Sequence, residues 1–250
     1  MNWVPLAGLA VALTLLLLAE RWIHRHLQGA MLLLTGDREI AVVLYALPLM
    51  PGILVHEFSH ALMAKLLGVR VGRVSVRPRL ADERIQLGFV PVEESDAVRA
   101  SLIGLAPLLI GSAAILVVGY LAFGIGALEE ALGEGSLPSL AHHFVTMLDT
   151  PDLWLWAYVI FAISNTMMPS QSDRESWTPL ILFLLLAVAL AWFAGVGPTI
   201  VQRLSQPLRL ATRWLTVMYG FTIIVDLPFI GLILLAEWSL GRIRGAYVEY

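Results

Sequence analysis

Residues His56-Glu57-Phe58-Ser59-His60 set two imidazoles and a carboxylate in the pattern H-E-x-x-H. Positions i and i+4 lie on one face of a helix about one turn apart, so both imidazoles can reach a single Zn²⁺, with Glu57 beside the water that the metal activates. Zinc brings the pKa of such a water towards ~7 and polarises a carbonyl, and a neighbouring carboxylate takes the proton as the water attacks. That is the chemistry of peptide hydrolysis, with His56 and His60 as ligands and Glu57 as base. With six His and twelve Glu in 250 residues, chance produces the pattern in roughly 0.7% of shuffled chains. A catalytic zinc usually takes a third protein ligand and keeps a fourth position open. The chain has no Cys, which excludes disulfides and thiolate chemistry and leaves His, Asp or Glu for that third place.

These residues must be held by an unusual frame. Hydrophobic residues make up 58% of the chain and charged ones only 14%, against about 25% in an ordinary soluble domain. A net charge of -3 offers no basic surplus for a phosphate backbone, so no nucleic-acid partner is expected. Six apolar runs, 3–19, 40–67, 102–123, 153–168, 178–194 and 214–238, approach the roughly 20 residues that span a bilayer as helix. The expected fold is an all-α polytopic membrane protein of about six spans, a single domain over 1–250. Its first run lacks a basic start and a small-residue cleavage site, and so reads as a retained span. The second carries Pro48, Pro51, Gly52, His56, Glu57 and His60, groups that persist at membrane depth where they face protein or a water-filled cavity. With both termini inside, ten of the 16 Lys and Arg fall on the inner side, seven of them between 65 and 99, which predicts cytoplasmic termini and an active site opening to the cytoplasm.

The fourth run ends in Asn165-Thr166-Met167-Met168-Pro169-Ser170-Gln171-Ser172-Asp173-Arg174. Together with H-E-x-x-H, this resembles the site-2 protease family of intramembrane zinc metalloproteases, whose second signature is Asn-x-x-Pro-x-Pro-x-x-Asp-Gly near the end of a later membrane helix. Asn165 and Asp173 keep that spacing, and the stretches 60–69 and 104–109 are also similar to the family. The likeness covers about 40–175, the catalytic core it implies, and leaves the spans over 178–238 as accessory. The resemblance implies Asp173 as third zinc ligand, Asn165 as a residue holding the substrate backbone, and a transmembrane protein as substrate in regulated intramembrane proteolysis. Proline stands four rather than three positions after Asn165, and Arg174 replaces the family's Gly, which leaves Glu175 as a substitute ligand. No segment between spans is long enough for a PDZ or CBS module.

Alternation over 71–92, with 81–84 near its turn, predicts a small membrane-associated β-hairpin between the second and third spans, whose strand edge could receive an unwound substrate. A basic loop touching anionic headgroups is the alternative there. Asp226, two residues before Pro228, reads as the cap of a broken last span. His24, His26, His142 and His143 read as interfacial residues, and Trp3, Trp22, Trp177, Trp214 and Trp238 as interfacial anchors. The rival to an intramembrane peptidase is a non-catalytic protein, either a metal-binding pseudoprotease scaffold or a zinc-handling transporter. A transporter should string ionisable groups along a path through several spans, whereas here they concentrate in the second and fourth.

Overall fold

The computed structural model describes residues 4–248, apart from 74, 76–78, 82, 83 and 176. Its helices run in chain order as α1 (Val4–Thr35), α2 (Arg38–Ala46), α3 (Met50–Leu66), α4 (Ala97–Phe123), α5 (Ile125–Glu134), α6 (Leu137–Leu148), α7 (Leu153–Ser164), α8 (Gln171–Arg174), α9 (Trp177–Phe193) and α10 (Gly197–Arg244). Among the described residues, five stretches are long and apolar enough to cross a membrane: Leu6–Thr35, Arg38–Leu66, Ala97–Phe123, Gln171–Phe193 and Gly197–Arg244.

The second of these is jointed. Pro48 and Pro51 interrupt the α-helical hydrogen bonding, and the chain passes through a 3₁₀ turn at Leu47–Leu49 before α3 begins. Asp37 starts α2 by accepting from the Glu39 and Ile40 amides at 2.8 and 3.0 Å. α1 pairs lengthwise with α10, while α3 is enclosed by α4 and α7. Two buried clusters lie between them. One joins Leu16, Ile115, Ile160, Met167, Met218 and Phe221, and the other joins Ile23, Tyr45, Leu49, Ile53, Phe161 and Ile233.

Several expectations change. The run over 153–168 is not a full span: α7 has 12 residues, about 18 Å at 1.5 Å per residue, against a hydrocarbon core of ~30 Å. Asn165 caps it and the chain leaves the helix before Pro169, which forbids its continuation. The non-helical stretch that follows is enclosed by protein, with Asn165 and Met167 buried, which is the condition for irregular backbone at membrane depth. The first run extends well past residue 19, because α1 continues to Thr35 and its polar residues find partners on other helices. His24 accepts or donates a bond with the Tyr45 hydroxyl at 2.5 Å, and His26 meets Glu237 at 2.6 Å, so both are contact residues between helices rather than interfacial ones. The last run lies within α10, whose 48 residues extend roughly 72 Å, more than twice the core thickness.

The connection expected as a hairpin over 71–92 is not seen as a continuous ladder. Among the described residues, pairing is confined to Arg79–Ala81 with Arg84–Gln86 and to isolated bridges at Val71 with Val92 and Ser75 with Phe89. Asp82 and Glu83, at the expected turn, lie outside the described residues. The connection between α4 and α7, by contrast, forms two helices, α5 and α6, that bury Ile125, Leu128, Ala131 and Met147.

Candidate metal centre

α3 carries the two imidazoles on one face, ring centroids 4.8 Å apart and inclined at 75°, with the Nε2 atoms 3.1 Å from each other. Backbone carbonyls fix their orientation. His56 Nδ1 bonds the Thr166 carbonyl at 2.6 Å, and His60 Nδ1 bonds the Ile103 carbonyl at 2.9 Å. A carbonyl oxygen only accepts, so each Nδ1 carries the hydrogen, and in the neutral ring each Nε2 presents a lone pair. Asp173 completes the group: its Oδ1 lies 3.3 Å from His60 Nε2 and its Oδ2 3.8 Å from His56 Nε2. His56, His60 and Asp173 together could hold a metal ion, with their ligand atoms all within 4.8 Å of one another.

Each element reaches this point for a local reason. α3 can approach α7 only because residue 52 is glycine. A Cβ there would fall 1.9 Å from the Ala162 carbonyl oxygen and 2.3 Å from Thr166 Oγ1, and the same approach carries the Thr166 carbonyl to His56. α4 supplies the Ile103 carbonyl, and its Gly104 lies against Asp173, where a Cβ would fall 2.2 Å from the Asp173 carbonyl oxygen. Asp173 is held by a capping box in α8. Its Oδ2 accepts from the Ser170 amide at 2.7 Å and the Ser170 hydroxyl at 2.6 Å, which leaves Oδ1 facing His60.

Glu57 is buried beside the histidines at 6% exposure. The chain between α3 and α4 passes directly over it: a Cβ at residue 88 would meet Glu57 Oε1 at 2.3 Å. Glu175, the substitute ligand considered from sequence, is exposed and outside the cluster. Asn165 is buried, but its amide donates to the Phe161 carbonyl, Ser164 Oγ and Asp226 Oδ1, and none of these bonds runs to the His56, His60 and Asp173 group.

Asp226 does not cap a helix. α10 is continuous through Pro228, and the Asp226 side chain turns inward to Ser164 and Asn165, so the burial of a carboxylate here is a tertiary contact rather than a chain break. His142 is exposed and its neighbour His143 half-buried in α6, and neither takes part in the cluster.

The sequence reading missed the parts that orient the ligands. Ser170 was detectable, since Ser-x-x-Asp is a cap-box spacing. The carbonyls of Ile103 and Thr166 were not, because every residue has a carbonyl and only packing selects which one is used. Compared with known proteins, the chain matches no family model, no curated protein and no solved structure.

Proposed function

We propose that this protein is an intramembrane zinc endopeptidase of the site-2 protease type, hydrolysing peptide bonds in or near transmembrane segments of other proteins. The observation that carries this reading is the meeting of three lone-pair atoms. Two Nε2 atoms 3.1 Å apart and a carboxylate oxygen at 3.3 Å bring three potential ligand atoms together, and a cation between them would satisfy all three. Bonds of about 2.1 Å in a tetrahedral zinc site put ligand atoms ~3.4 Å apart, and the separations of 3.1, 3.3 and 3.8 Å fall around that value. Two imidazoles and one carboxylate are a catalytic zinc donor set, with a fourth position left for water.

Zinc, when bound, supplies a Lewis acid and a water acidic enough to attack near neutral pH. The chain's own residues supply the remaining functions. Thr166 and Ile103 hold the imidazoles in the ligating tautomer, and Ser170 holds the carboxylate. Glu57 takes the proton of the attacking water and returns it to the leaving amine nitrogen. Its burial keeps bulk solvent away from the base, and Gly88 allows backbone to lie against it. A helical substrate must be locally unwound before its carbonyl is accessible, and the backbone at Gly88, which lies against Glu57, is where an extended peptide would be received. Asn165 is given no substrate contact in this reading, because its amide is engaged with Asp226.

Water reaches the centre from the cytoplasmic face in this reading, the side given by the excess of basic residues between 65 and 99. Exposed Ser172, beside Asp173, marks that route. Ser172→Cys in this cysteine-free chain should react with a membrane-impermeant thiol reagent in inside-out vesicles and be protected in right-side-out ones; the reverse pattern overturns the orientation. For the activity itself, purified protein should contain one zinc per chain and cut a synthetic transmembrane helix in a chelator-sensitive way. Zinc-loaded protein that cuts no such helix refutes the endopeptidase.

A further inference from the structure

Behind the metal centre, α7 and α10 meet through polar groups almost completely removed from solvent. Asp226 is 1% exposed and Asn165 2%. Asn165 Nδ2 donates to Asp226 Oδ1 at 3.3 Å, and the Ser164 hydroxyl, which donates to the Phe161 carbonyl at 3.0 Å, lies 3.5 Å from the same oxygen. The other oxygen of each side chain, Asp226 Oδ2 and Asn165 Oδ1, is buried without a hydrogen-bond partner. Two orphaned acceptors on adjoining side chains are unusual, because a buried polar atom without a partner is strongly disfavoured and a buried unpaired charge more so. Among the described residues, Asp226 has no ion pair.

We propose that Asp226 is a neutral carboxylic acid that forms a cyclic acid–amide pair with Asn165. In this pair Asn165 Nδ2 donates to Asp226 Oδ1, and the Asp226 Oδ2 hydroxyl donates to Asn165 Oδ1. A single proton gives both orphaned oxygens a partner and removes the unpaired charge. The pair clamps α10 to the cap of α7, at the residue just before Thr166, and Thr166 is the residue whose carbonyl orients His56. Asp226 is therefore a positioning residue. It touches neither substrate nor the His56, His60 and Asp173 group, and acts through Asn165 and the turn that follows it. This role toward His56 rests on the zinc reading above; the protonation of Asp226 does not.

Two measurements on the full chain in lipid test the inference. In the infrared difference spectrum between wild type and Asp226→Asn at neutral pH, the band lost should be the C=O stretch of a protonated carboxyl. Loss of carboxylate stretches instead overturns the proposal. Zinc affinity by chelator competition should be unchanged in Asp226→Asn, because an amide offers Asn165 the same donor and acceptor. It should fall about 10-fold in Asp226→Ala, the low end of what outer partners of a ligating His contribute. An Asp226→Asn protein as impaired as Asp226→Ala would show that the carboxylate itself is needed, and would overturn the pair. Should Asp226→Ala fail to fold, the isosteric Asp226→Asn and its spectrum still decide. A wild type that binds zinc without cutting any helix sinks the endopeptidase alone and leaves both of these readouts in force.

Discussion

α3 and α9 are both 17-residue helices of largely apolar sequence, and they occupy opposite surroundings. α3 is enclosed by α4 and α7 and buries Gly52, Glu57, Ser59 and His60, whereas α9 buries no residue and exposes Leu184, Leu186, Leu190 and Phe193. Apolar content therefore says only that both are apolar enough to lie in a membrane. A leucine gains little by leaving lipid for another leucine, so nothing drives α9 into the protein. Polar groups in α3 require partners that lipid lacks, and its glycine lets a neighbouring backbone come close enough to provide them.

The comparison is broken most directly at the ligands. Replacing both His56 and His60 by Ala should remove the metal entirely; stoichiometric zinc in the double variant, measured on purified protein, would refute the assignment of α3 as the metal helix. Next in size is Glu57→Gln, which should keep zinc and fold but lower cleavage by on the order of 10² to 10⁴, the usual contribution of a general base. Near-normal turnover by the zinc-loaded variant would leave Glu57 without a hydrolytic role.

Smaller effects sharpen the contrast in packing. Gly52→Ala adds a Cβ 1.9 Å from the Ala162 carbonyl oxygen, and overpacking of this kind costs about 1–3 kcal/mol. Since the collision separates α3 from the turn that orients His56, thermal unfolding and zinc affinity should worsen together; a fall in stability alone would disconnect the helix contact from the site. At the water-exposed start of α4, which covers α3, Asp96 caps the helix. The Arg99 amide that it accepts, with help from the Val98 amide and the Arg99 charge, holds its carboxyl below the usual aspartate range. A depressed carboxylate stabilises the fold at pH above its unfolded value, and that contribution is lost as pH falls through its folded value. Hydrogen exchange at Val98 and Arg99 should therefore accelerate relative to the rest of α4 in that acid window, and Asp96→Asn should show no such change. Least of all should come from α9. Leu186→Ala on that exposed apolar surface should alter stability by no more than about 0.5 kcal/mol, and a loss as large as that of Gly52→Ala would mean that α9 is packed against protein after all.

Much of the centre was legible because its residue types are costly where they sit. Two His and a Glu at helical spacing within an apolar run, and an Asp following a Pro, attract notice before any fold is known. The span over 153–168 was misread because hydropathy averages across the cap at Asn165, which ends α7 after 12 residues. Asp226 was misread because its distance in sequence from Pro228 suggested a local role, while its partners lie about sixty residues away on α7.

By itself the sequence determined which runs are apolar enough to cross a membrane, the helix carrying the two histidines and the candidate third ligand, since hydropathy and residue chemistry are properties of composition and short-range spacing. Only the tertiary structure decided that Asp173 reaches those histidines, that the Ile103 and Thr166 carbonyls fix which nitrogen faces it, and that Asp226 pairs with Asn165. Those are contacts between residues far apart in the chain. They depend on how closely two backbones can approach, which is set at Gly52 and Gly104 by the absence of a single carbon atom.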